Sequence, residues 1–341
     1  MARLDYANAR IGARRARLLG PAALRDLLTR PTLEARLEVL RARAAGAALA
    51  APGAGASAAA ADPISVAEAA LRAALQQEEA QLLEDAEGAR ARTLLEAVLA
   101  IEEASAVKAI VRGVAFGGTV ERVVAVALPC PGLDAQRILE AASATAVEGA
   151  LGLLAGAGSP VAMAALGALG ERAKHGLLPL ELAADRAALE RAARRARGPG
   201  EDRAVVRAHV EDRIDARNAA TLLALAGTSP LAETFVRGGR RLDEATFRRL
   251  APAGPAELRA ALAPLFGCAP EDLERPWSAD RALERAVLEP LRRAARVGPL
   301  SIAVPLAYLL ERRAEVRRVS LVLRGAALGL PGDELLELVG A

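Results

Sequence analysis

The 341-residue chain is short of aromatic rings, which make up only 2% of it. That argues against a surface on which exposed bases stack. Its two cysteines, Cys130 and Cys268, stand alone and predict neither a disulfide scaffold nor a metal cluster. The two histidines, His175 and His209, lack the close pair spacings of a zinc site. No G-x-S-x-G elbow and no G-x-x-x-x-G-K-S/T loop occur, and Gly156-x-Gly158 has neither a third glycine nor a convincing strand before it. No catalytic residue, cofactor site or metal site is predicted. Charge of one sign is not in large excess either: the net value is +3, so the basic pI says little about partners. Met1 to Leu19 carries too many arginines for a secretory h-region, which predicts an intracellular protein.

What is abundant is alanine and other helix formers, in a chain 53% hydrophobic and too long for one typical domain. An all-α fold follows. The chain is organised around Val205–Gly227, where Val206, Val210, Ile214, Leu222 and Leu225 recur at helical spacing. Asp215 and Asn218, three apart on one face, would have to be hydrogen-bonded if buried, and a structural tie between helices is the plainer reading of the pair than a ligand site. Similar units run from Leu94 to Gly113 and from Pro305 to Gly325. Each has an acid (Glu103, Asp215, Glu315), then a mostly apolar turn, then a glycine (Gly113, Gly227, Gly325) that is expected to end the helix, with Gly117 as the alternative end of the first. A second feature repeats with it. Leu133-Asp134 and Leu242-Asp243 each lead into a short helix, 109 residues apart, while Glu103 and Asp215 lie 112 apart. The matching offsets point to duplication and to three helical units, residues 1–117, 118–227 and 228–341.

Several stretches admit two readings. Residues 149–170 are uncharged for 22 residues, the length of a membrane span, but glycines and Ser159-Pro160 favour two short buried helices joined at Gly156–Pro160. Residues 46–61 are low-complexity Ala/Gly and read as a loop or linker. Ser65 and Glu68 have the spacing of a capping box, and Ser278 that of an N-cap. Val120–Leu128 suits a strand or a helical turn. Charge is blocked: residues 1–43 hold ten Arg and four acids, 62–103 ten acids and three Arg, 280–324 ten Arg and five acids. Adjacent acids such as Glu78/Glu79 and Glu102/Glu103 are expected on the surface. The arginine runs read as solvated faces or a protein dock rather than a nucleic-acid site.

Order and spacing over the whole length add a resemblance. Asn8-Ala9-Arg10-Ile11, Glu211-x-x-x-Asp215-Ala216-x-Asn218, Phe235-Val236-x-Gly238-Gly239, Leu306-Ala307-Tyr308, Glu311-x-x-x-Glu315 and Arg324-Gly325 resemble the C subunit of bacterial and archaeal V/A-type ATPases, related to the d subunit of the eukaryotic V-ATPase. The first copy departs from the family pattern with Glu103 and Ala106, and the third with Arg318 at the Asn place. The resemblance implies three similar helical domains around a pseudo-threefold axis, shaped like a funnel. It implies a non-catalytic rotor part, peripheral on the cytoplasmic face of the membrane and not itself transmembrane. Its partners would be the central-shaft D and F subunits and the membrane proteolipid ring, with no nucleic acid and no direct nucleotide. Arg10, Arg14, Arg17, Arg312, Arg313 and Arg317 are then the partner-facing candidates, arginine being suited to fixed ion pairs. A second reading is an all-helical scaffolding or nucleic-acid-binding protein with basic faces; a third is a helical enzyme built from scattered acids.

Overall fold

The computed structural model describes residues 5–30, 32–41, 63–86, 89–226 and 234–340. Gly227 and the 46–61 segment lie outside them. Among the described residues there is no strand, only one isolated bridge between Cys130 and Leu133. The helices are α1 Asp5–Arg15, α2 Pro21–Thr29, α3 Leu33–Arg41, α4 Pro63–Asp85, α5 Ala89–Leu99, α6 Glu102–Ala115, α7 Val120–Val126, α8 Ala135–Ala142 and α9 Val147–Gly156. They continue with α10 Pro160–Gly167, α11 Arg172–His175, α12 Leu178–Arg195, α13 Glu201–Ala224, α14 Glu244–Leu250, α15 Pro255–Phe266, α16 Pro276–Val297, α17 Ala303–Ala327 and α18 Gly332–Val339.

The apolar stripes bury into four clusters. Ile110, Val123, Ile138, Leu151 and Val161 belong to one, which α6 to α12 enclose. Leu222, Phe247, Leu258 and Leu283 belong to another, formed by α13 to α16. A third joins the two ends of the chain, packing Leu24, Leu37 and Leu71 against Val319, Leu323 and Leu335. The fourth, with Leu95, Val98, Val210, Leu291 and Leu306, lies where α5, α13, α16 and α17 meet. Helix α17 is buried on nearly every side, the mark of a central helix.

Local chemistry sets most boundaries. Asp134 and Asp243 accept from the amides of Arg137 (2.8 Å) and Thr246 (2.7 Å), capping α8 and α14 at the repeated Leu-Asp stretches. Thr119 caps α7, so the valine-rich patch is helical; with no strand beside it, β propensity has nothing to pair with. The uncharged 149–170 stretch is the two short helices α9 and α10, and no described helix is long and apolar enough to cross a membrane.

Four expectations are corrected. The Leu94–Arg112 unit is two helices, broken at Ala100 and Ile101, which places Glu102 and Glu103 in the first turn of α6, at its positive end. Ser65 lies inside the first turn of α4, and Glu68 is spent on Arg324 instead of a capping box. Ser278 is also inside its helix, which begins at Pro276. Finally, Gly113 and Gly325 do not end helices; the alternative for the first, Gly117, stands just past the Phe116 cap of α6. Gly113 and Gly325 each sit within α6 or α17, where a Cβ would overlap Val123 or Leu335 of the next helix. The first and third copies share this joint in detail. Gly113 and Gly325 accept from the amides of Gly118 (2.8 Å) and Leu330 (2.9 Å), and left-handed Gly117 and Gly329 stand four residues on. Val123 and Leu335 stand ten residues beyond their glycines.

Candidate functional site: buried ion pairs around a central cavity

The three repeat acids are buried, and each ties down a different segment. Asp215 accepts from the amides of Arg240 and Arg241 (both 2.9 Å) and Leu242 (3.1 Å). Three residues on, Asn218 makes a two-way bond with the backbone of Val236, at 2.8 and 2.9 Å. The pair fastens the loop before α14 to α13. Glu103 accepts from the hydroxyl of Ser159, which itself caps α10. Glu315 accepts from the amide of Leu19, just ahead of α2, at 2.6 Å. The three carboxylates do not converge on one point, so they form a shared fastening device and not one binding site.

The residue beside Glu103 does more. Glu102, on α6, lies 3.2 Å from Arg213 of α13 and 2.8 Å from Arg317 of α17. Arg313 of α17 approaches it at 3.6 Å. One carboxylate therefore joins α6 to both α13 and α17. Burial pushes its pKa up, but Arg317, Arg213, Arg313 and Lys108 outweigh this and hold it at about 2. Arg313 is wholly buried; its guanidinium also grips Glu79 of α4 and donates to the Pro129 carbonyl at 2.8 Å. Arg312 binds Glu78 and Glu315. Arg324 closes on Glu68 through two bonds of 2.7 and 2.6 Å.

These contacts correct two expectations. Glu79, Glu102 and Glu103 are not surface acids; each is at most 4% exposed. Arg312 and Arg313 are not partner-facing, because the chain's own carboxylates enclose them. The acidic block of α4 to α6 and the basic block of α17 neutralise each other inside the molecule. Of the other candidates, Arg10 pairs with Asp85 at 3.0 Å and Arg14 donates to Gln81 at 2.9 Å. Arg17 and Arg317 keep exposed side chains. The complementary signs of the two blocks were a signal for this lattice in the sequence, but they did not say which face each block turns inward.

Next to Glu102, residues of α6, α12, α13, α16 and α17 surround a cavity of ≈ 280 Å³. Lys108, Arg213, Arg217, Asp185, Asp280 and Glu284 line it, and Asp185 bridges Lys108 and Arg217 at 2.7 Å each. His209 is buried close by, beside Arg213. Burial, aided by Arg213, drives its pKa to about 3, so the ring is neutral. Among the described residues, no three His, Cys, Asp or Glu side chains gather in a way that would hold a metal ion.

Fold and interior together define an all-helical protein whose separate apolar clusters are joined by buried ion pairs, with a charged open pocket beside Glu102. The chain belongs to the ATP synthase (C/AC39) subunit family, whose profile matches residues 7–338. It is 27% identical to the C subunit of the A-type ATP synthase of Haloferax volcanii, across 97% of this chain and 95% of that one. The C subunit of a V-type ATP synthase from Thermus thermophilus is 33% identical over 41% of this chain and 43% of its own. Its A-type counterpart from Thermococcus onnurineus is 37% identical over a shorter stretch, 20% of this chain and 19% of its own. The chain is thus a C subunit of the V/A-type ATP synthases and a member of that complex.

Proposed function

We propose that the chain is the non-catalytic central-stalk socket of its rotary complex, seated on the cytoplasmic face of the membrane and linking the central-shaft D and F subunits to the proteolipid ring. In this reading three helical units, about residues 1–117, 118–227 and 228–341, stand around a pseudo-threefold axis as a funnel. The central cavity, where α6, α13 and α17 meet, is the seat. The observation that carries the reading is Glu102, which holds arginines of α13 and α17 from its place on α6. A coupling part must deform little under torque, and charges locked in a close-packed interior resist sliding of one helix past another. Equivalent joints at Gly113 and Gly325 support the repeat relation.

The test is reconstitution. The purified chain is expected to bind a D–F complex and a detergent-solubilised proteolipid ring at the same time, and a cross-link between chain and ring is expected to leave ATP-driven rotation of the ring intact. Failure to bind either partner, or loss of coupling on cross-linking, refutes the socket.

A further inference from the structure

A second and larger cavity, ≈ 580 Å³, opens between the start of the chain and α16 and α17. Five guanidinium groups line it, Arg15, Arg281, Arg285, Arg292 and Arg318, against three carboxylates, Glu284, Glu311 and Glu315. Glu311 and Glu315 are already engaged, and Glu284 has only a long approach to an arginine. Glu311 is shared by Arg15 (2.8 Å) and Arg292 (2.7 Å). Glu315 serves Arg312 and the Leu19 amide, and Glu284 lies 3.9 Å from Arg317. Among the described residues no carboxylate pairs with Arg285 or Arg318. Arg281 donates to the Glu337 carbonyl, while its Nε is buried without an acceptor.

Arg281 and Arg285 are four apart on α16, an unfavourable like-charge spacing, with Glu284 the one acid of that helix lining the cavity beside them. The buried Arg312 and Arg313 face acids; here, in a concavity of small-ligand size that opens to solvent and leaves Arg285 exposed, positive charge is in excess. The opening end of α2, Gly20 and Pro21 without a side-chain cap, forms part of the wall and adds its positive dipole end. The remaining wall is aliphatic, with Leu18, Leu288 and Val339 and no aromatic ring to hold a base.

We propose that this cavity is an anion-binding site for a diphosphate-class group, held by Arg281, Arg285 and Arg318. Guanidinium forks suit phosphate oxygens, and two linked phosphates supply the roughly two negative charges that the lining lacks. The proposal does not depend on the socket reading.

The experiment is calorimetric titration of the full chain with pyrophosphate at low salt. Expected is saturable one-to-one binding, at least ~10-fold tighter than orthophosphate. Arg285→Ala and Arg318→Ala should each weaken it by at least ~10-fold, because a charge-assisted bond contributes on the order of a tenfold change. Arg25→Ala, at an exposed arginine elsewhere, should leave it unchanged. Unaltered melting of each variant separates loss of the site from loss of the fold. Vesicles containing an anionic phospholipid distinguish the source: binding to vesicles alone, abolished by the same two substitutions, assigns the phosphates to a lipid headgroup. No saturable binding of either pyrophosphate or the vesicles, equal affinity in both variants and wild type, or binding of an acidic peptide but of neither phosphate form overturns the proposal.

Discussion

Replacing Arg313 by Met tests the buried lattice most directly. The guanidinium is wholly enclosed and meets Glu79, the Pro129 carbonyl and, at 3.6 Å, Glu102. Methionine fills part of the volume but leaves the Glu79 carboxylate buried without its cation. Glu102 keeps Arg213 and Arg317. Removing one partner of such a pair costs about 3–5 kcal/mol. The cost arises mostly from the orphaned charge, so Arg313→Met combined with Glu79→Leu should recover at least ~2 kcal/mol of it, a coupling that a double-mutant cycle reads. Arg313→Lys should fall between, since a point charge cannot span the three acceptors. The assay is urea unfolding followed by circular dichroism, with fits allowing more than one transition in a chain of this length. If Arg313→Met lies within about 1 kcal/mol of wild type, or the double variant is no more stable than the single, the argument that these charges clamp α4 to α17 is refuted.

Other outcomes follow from the same geometry. Glu102, held at about 2 in the fold, contributes stability that is complete above its unfolded value near 4.5 and is lost as pH falls toward 2. Glu102→Gln should flatten the stability curve in that window, read by denaturation at stepped pH. His209 has the same sign over another range. Its folded pKa is lowered to about 3, so the unfolded chain binds a proton first, and stability should drop by up to ~1.4 kcal/mol per unit as pH falls below about 6.5. His209→Leu should remove that slope. Gly113→Ala and Gly325→Ala should each cost about 1–3 kcal/mol by overpacking against Val123 and Leu335, and Val123→Ala should relieve the first. Asp215→Ala strands three backbone amides and should destabilise by at least ~2 kcal/mol, with hydrogen exchange rising first at Arg240, Arg241 and Leu242.

Under the proposed socket reading, the chain would transmit torque only if its elements did not slide over one another. Apolar packing alone resists separation better than it resists sliding, because it is non-directional. Directional bonds to a fixed carboxylate supply what packing lacks. This gives a physical reason for a protein with little aromatic mass to hold so many arginines and acids inside.

The helical class, most of the joints and the repeated Leu-Asp lead-in were legible in the sequence alone. So were the Asp215–Asn218 pair and the splitting of residues 149–170. All of these depend on neighbours within a turn or two along the chain, where side-chain spacing and backbone chemistry act directly. What the tertiary structure decided was direction and distance. It turned Glu79, Glu102 and Glu103 inward, enclosed Arg312 and Arg313, and made Gly113 and Gly325 points of close approach within helices. Periodicity places a residue on a helix face; only the element packed against that face determines whether a charge meets water or an ion of opposite sign.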